Sequence, residues 1–105
     1  MRQYELVFVL KPSLSEEELA SKLEIIQSLI QQNGGEVLEL QKWGRKNLAY
    51  PIQKFNSGYY YLINYASKNS NLPSILEYNL RIDEAVIRFL NVKLKKSNVS
   101  QEQVS

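Results

Sequence analysis

Apolar residues run unbroken from Leu6 to Leu10 in "QYELVFVL" (residues 3–10), with Leu6, Phe8 and Leu10 on one face of an extended chain and Val7 and Val9 on the other. A strand apolar on both sides is expected to be central in its sheet and covered at least partly on each face. The period then changes. Leu19, Leu23, Ile26 and Ile30 recur at helical spacing and define one buried stripe. The start of this helix is written in "KPSLSEEELA", where Ser15 and Glu18 fit a capping box and Leu14 and Leu19 a hydrophobic staple. Glu16, Glu17 and Glu18 favour the positive end of the helix dipole. "NGG" at 33–35 ends the helix.

A second strand starts at Glu36, is interrupted near Gly44 and resumes through Leu48, Tyr50 and Ile52. "FNSG" at 55–58 predicts a hairpin turn leading into "YYYLINYA", the most aromatic strand of the chain. "SKNSNLP" reads as a loop and a helix start, with Pro73 tolerated in the first turn. The second helix runs to about Ile82, with Leu72, Ile75, Leu76 and Leu80 as its buried side and Glu77 four residues before Arg81. A last strand, "AVIRFLNVKLK", follows, and "KSNVSQEQVS" has no periodicity. Residues 1–96 are therefore expected to form a single domain and 97–105 a mobile polar tail. Strand, helix, strand, strand, helix, strand, with right-handed crossovers, predicts an α+β fold. It is the ferredoxin-like βαββαβ sandwich, a four-stranded antiparallel sheet with two helices on one face. The second strand is an edge in that topology, which explains Pro51, since proline donates no ladder hydrogen bond. Gly44 marks a bulge or bend.

Composition narrows the chemistry. The 105 residues include no cysteine and no histidine, which removes thiolate nucleophiles, disulfides, imidazole bases and the usual zinc ligands together. Glu16, Glu17 and Glu18 are accounted for by capping, and Asp83 and Glu84 by a turn before the last strand. No nucleophile has an adjacent base, and no glycine-rich loop precedes a helix. Catalysis, a cofactor and a metal are not expected. "LVFVL" is too short for a signal sequence, and no apolar run approaches the ~20 residues of a membrane span, so a cytoplasmic protein is expected.

Net charge is only +2, but its distribution is uneven. Residues 1–41 hold three cations and seven carboxylates, whereas residues 42–105 hold ten cations and four carboxylates. Such a field with a positive end steers polyanions.

Two resemblances follow from quoted residues. "VFVLK" and "GYYYL" partly match the two aromatic motifs of an RNA recognition motif, a domain of the same fold. In that match Ser57 replaces a basic residue, Tyr60 a small one and Asn64 the last aromatic. The stand-alone single-stranded RNA binder is the alternative reading. "RQYELVFVLKPSL" at 2–14, "WGRKNLAYPIQK" at 43–54 and "LRIDEAVIRFLNVK" at 80–93 resemble, in order and spacing, the bacterial small-subunit (30S) ribosomal protein six family. The core of the resemblance is Gly44, Arg45, Lys46, Leu48, Ala49, Tyr50, Pro51 and Ile52, with Arg2 and Tyr4. It implies a structural component of the 30S subunit without catalytic activity or cofactor. It also implies pairing with the small-subunit ribosomal protein numbered eighteen and joint binding to the central domain of 16S rRNA. Some relatives end in a long acidic tail extended with glutamates; this chain ends "QEQVS", so that modification is not implied.

The expected rRNA-binding residues are Arg45 and Lys46 with Lys42 beside them, and Arg2, Tyr4, Arg88 and Lys93 from the first and last strands. Lys54, Lys95 and Lys96 add charge nearby. Arg2 would hold a phosphate while Tyr4 stacks on a sugar or base. Tyr50 and Pro51 would form an edge for a partner segment. Val7, Val9, Tyr60 and Leu62 would expose an apolar sheet face to a partner protein. Trp43 is expected as a lid over the end of the core rather than a contact residue. In the ribosomal reading Tyr59 and Tyr61 face the helices with Ile63 and Tyr65; in the alternative reading they lie on the open face, where bases stack.

Overall fold

A computed structural model describes residues 1–94; Lys95, Lys96 and the expected tail lie outside the described residues. The elements are β1 (Arg2–Leu10), α1 (Glu16–Gln32), β2 (Gly35–Ile52), β3 (Phe55–Ser67), α2 (Leu72–Ile82) and β4 (Val86–Leu94). One sheet carries them in the order β2-β3-β1-β4, with every neighbouring pair antiparallel. The expected sandwich and the edge position of β2 both hold.

Local chemistry sets the first helix. Glu18 N donates to Ser15 Oγ at 3.2 Å, and Ser15 N donates back to Glu18 Oε1 at 2.8 Å, so two otherwise orphaned donors are satisfied at once. Leu19, Leu23, Ile26 and Ile30 are the buried stripe of α1. In α2 the buried positions are Leu72, Leu76 and Leu80, while Ile75 is only half-buried. Lys22 Nζ lies 2.9 Å from Asp83 Oδ2, tying α1 to the end of α2. Glu77 and Arg81 form no such pair; Lys22–Asp83 is the one ion pair among the described residues.

Between sheet and helices lies one core. Tyr4, Leu6, Phe8 and Leu10 of β1 and Tyr61, Ile63 and Tyr65 of β3 face the helices, with Tyr59 partly buried beside them. Tyr4 stacks on Tyr65 (centroids 5.1 Å apart, planes at 17°) and Phe8 on Tyr61 (5.4 Å, 23°). These offset aromatic pairs join β1 to β3 beyond what their ladder supplies.

The hairpin turn is displaced from the expected one. It falls at Gln53 and Lys54, whose φ values are +52° and +72°, and Phe55–Gly58 belong to β3. A two-residue turn that matches strand twist needs positive φ at both central positions. Here Gln and Lys adopt it without the glycine that normally signals it. Gly58 serves packing instead: a Cβ there would collide with Val9 Cγ1 and approach Leu10 O at 2.9 Å.

Candidate functional site

Strand β2 is long, exposed and irregular, and its irregularities create the most unusual surface on the molecule. Its pairing with β3 slips between Val37 and Glu39, between Lys42 and Gly44, and between Asn47 and Ile52. The last slip is large. Asn47 pairs with Ser57 and Ile52 with Phe55, so Leu48, Ala49, Tyr50 and Pro51 arch past Asn56 without ladder partners. On an edge strand this leaves backbone donors and acceptors of the arch available to another chain. Tyr50, 62% exposed, stands on it.

The slip at Gly44 comes directly after Trp43. Gly44 has φ +83° and nothing within 4 Å of a notional Cβ, so glycine is required there by the backbone alone. Trp43 is the extra residue between the pairs Lys42↔Tyr61 and Gly44↔Tyr60. It lies on the sheet face opposite the helices, stacked on Tyr60 at 6.5 Å and 14°. The indole is 42% exposed and so does not cap the end of the core. The expected lid is corrected on that ground: Lys42 pairs with helix-facing Tyr61, so alternation puts Trp43 on the other face, and the extra residue resets only the faces of Arg45 and Lys46 beyond it.

The expected basic residues do not form one cluster. Ladder positions put Lys42 (opposite Tyr61) and Arg45 (opposite Tyr59) on the helix side of β2, and Lys46 (opposite Gly58) on the open side. Arg45 Nε donates to Ser57 Oγ at 3.3 Å, which restrains its guanidinium along β3. Arg88, opposite Val9, lies on the open face of the other edge strand. The two edges are about 14 Å apart, three inter-strand spacings. Arg2 and Lys93 lie at the far end of the sheet on the helix side, opposite Ser67 and Tyr4 respectively. There Arg2, Lys68 and Ser70 line a cleft of about 520 Å³. Lys68 was missed in the sequence, because it sits in a polar loop that gives no sign of folding back beside Arg2. Its backbone N–H donates to Gly34 O at 3.4 Å, and that bond sets where the loop runs.

Three further expectations need correction. Tyr4 is 6% exposed, its ring spent on Tyr65, so it offers no face to a base. Val9 and Leu62 are on the open face as expected, yet 1% and 7% exposed. Gly58 closes over Val9, and Leu62 is flanked by Val7 and Gln41 on its neighbouring strands. On β4 the open face instead exposes Leu90 (61%) and Val92 (41%), with half-buried Val7 opposite Leu90, while half-buried Tyr60 lies two strands away under Trp43. Sequence reading passed over these two because β4 is apolar at nearly every position. Register alone separates its faces.

Burial pushes the Tyr65 phenol up to about 12, against a smaller opposing pull from its hydrogen bond to Asn91 and small upward pushes from Tyr4 and Glu77. Tyr61 is raised as well, by burial first and by Tyr59 second. These are core tyrosines rather than acid–base groups. Among the described residues no group of three or more Asp and Glu side chains is placed to hold a metal ion, and no helix is long and apolar enough to cross a membrane.

An α+β sandwich whose edge strand arches away from its ladder and carries Lys42, Arg45 and Lys46 has the build of a binding module. Comparison with known proteins makes this specific. The family model for Ribosomal protein S6 matches residues 3–93, and the chain belongs to that family. It is 48% identical over 101 residues to Small ribosomal subunit protein bS6 of Aquifex aeolicus, covering 96% of this chain and 92% of the relative. It is 46% identical over 96 residues to the protein of that name from Clostridium novyi, covering 91% and 100% respectively. The crystal structure of 30S ribosomal protein S6 from Thermotoga maritima superposes with a TM-score of 0.84 at 30% identity, covering 89% of this chain and 87% of that one. The chain is a structural, non-enzymatic component of the small subunit of the cytoplasmic ribosome.

Proposed function

We propose that this chain binds the central domain of 16S rRNA together with the small-subunit ribosomal protein numbered eighteen, the partner protein on the β2 arch and the open sheet face and the rRNA on the cations around them. The observation that carries this reading is the arch at Leu48–Pro51, unpaired on an edge strand and preceded by Arg45 and Lys46. An extended segment of the partner protein adds to that edge, with Tyr50 and Pro51 as its side-chain contacts. The partner's apolar groups rest on Val7, Tyr60, Leu90 and Val92, with Val9 and Leu62 as the packed floor beneath. Lys42, Arg45, Lys46 and Arg88 meet phosphates around that contact, and Arg2 and Lys93, joined by Lys68, meet them at the far end.

The stand-alone RNA recognition motif is disfavoured by register. It needs the second tyrosine of its pair, Tyr61, on the open face, whereas Tyr61 is 5% exposed and packed under the helices against Phe8.

The test is binding of the full chain, with and without the partner protein, to a central-domain rRNA fragment across a salt series. Arg45→Ala, Lys46→Ala and Arg88→Ala are each expected to lower the slope of log K against log salt by about one. Slopes that stay at the parental value in all three variants would remove these cations from the rRNA contact.

A further inference from the structure

We propose that Trp43 is a base-stacking platform for an unpaired nucleotide of single-stranded RNA. This inference rests on the RNA-binding reading above and adds to it a residue that reads bases rather than phosphates.

The indole is held in place before anything binds. Its inner face lies on Tyr60, with planes only 14° apart. Its Nε1 donates to Gln41 Oε1 at 2.8 Å, and Gln41 Nε2 donates in turn to Glu39 Oε2 at 2.9 Å. The single ring donor is therefore satisfied within the strand, and the Glu39 carboxylate is engaged by Gln41. What remains on offer is π surface, since the side chain is still 42% exposed despite the stack beneath it. A base adds to such a surface with little ordering cost, and stacking tolerates any base because each has a π face.

Charge selects the occupant. Lys46 stands on the same face three residues on, and Lys42 and Arg45 flank the bulge on the other side. A nucleotide stacked on Trp43 thus has cations within reach for the phosphates before and after it. An apolar protein segment would find more surface at Leu90 and Val92, on the opposite edge.

Trp43 is the only tryptophan of the chain, so its emission reports this site without ambiguity. The full chain is titrated with a short unstructured RNA oligonucleotide and with an abasic oligonucleotide of equal length, each with and without the partner ribosomal protein. The base-bearing RNA is expected to quench the emission and the abasic chain to leave it unchanged. Trp43→Ala is expected to weaken oligonucleotide binding about 5- to 150-fold with the salt slope preserved, and Trp43→Phe to lose less. RNA binding with unchanged emission and parental affinity in Trp43→Ala overturns the platform while leaving the RNA-binding reading intact. Quenching by the partner protein alone assigns the indole to a protein interface and overturns it too. No RNA binding at low salt under any of these conditions overturns both.

Discussion

The phenol of Tyr65 donates a hydrogen bond to Asn91 Oδ1 at 3.1 Å, reaching from β3 to β4 across the intervening β1. It fastens one edge strand to the centre of the sheet on the helix side, where both groups are shielded from water. Ionising that phenol would break the bond and leave a charge in the core.

The alkaline limit of stability follows from this. Below about pH 10 the folded and unfolded chains both keep the Tyr65 proton, and its contribution to stability is fully present. The unfolded chain releases the proton near 10, whereas the folded chain holds it to about 12. Stability is therefore lost as pH rises through that window, by about 2–3 kcal/mol. Urea unfolding across the window measures it. Tyr65→Phe is expected to flatten the profile while costing about 1–3 kcal/mol near neutrality, because Asn91 loses a buried partner. An equally steep profile in the variant would place the titration elsewhere.

Tyr61→Ala tests the sheet register. Tyr61 packs on Phe8 under the helices, so its loss is expected to act as a core truncation costing about 3–5 kcal/mol. A variant that melts normally yet fails to bind RNA would put this ring on the binding surface instead.

Gly44→Ala isolates backbone strain from packing. The φ of +83° disfavours any side chain, and open space around the position means nothing else opposes one. The expected cost is about 1–2 kcal/mol, with Gly44→Asn cheaper because asparagine tolerates left-handed backbone better. Thermal unfolding of the two variants decides it; equal costs would point to a contact rather than to φ.

Hydrogen exchange addresses the arch. Leu48, Ala49 and Tyr50 amides lack ladder partners and are expected to exchange quickly in the free chain. Assembly with the partner protein is expected to slow them, if a segment docks along this edge. Protection confined to the helices would exclude edge docking.

What could be read in the sequence was what neighbouring residues decide among themselves. The Ser15–Glu18 box, the stripe from Leu19 to Ile30 and the proline at Pro51 act within a few positions, so helix start, buried face and edge strand were all legible. The alternation from Tyr59 to Asn64 was legible for the same reason, since a strand's period of two places Tyr61 and Ile63 together. Tertiary structure decided the rest. Gln53 and Lys54 carry the turn because the strands on either side impose positive φ on them, against their own preference. Tyr4 is buried because Tyr65 lies across the ladder, and Val9 because Gly58 comes close; neither neighbour is near in sequence. Trp43 faces outward because Lys42 before it pairs with helix-facing Tyr61, and Arg45 and Arg88 are parted by the strand order. Pattern along a chain specifies which residues want water or core. Only pairing between distant strands assigns each to a face and so determines which of the wet ones meet.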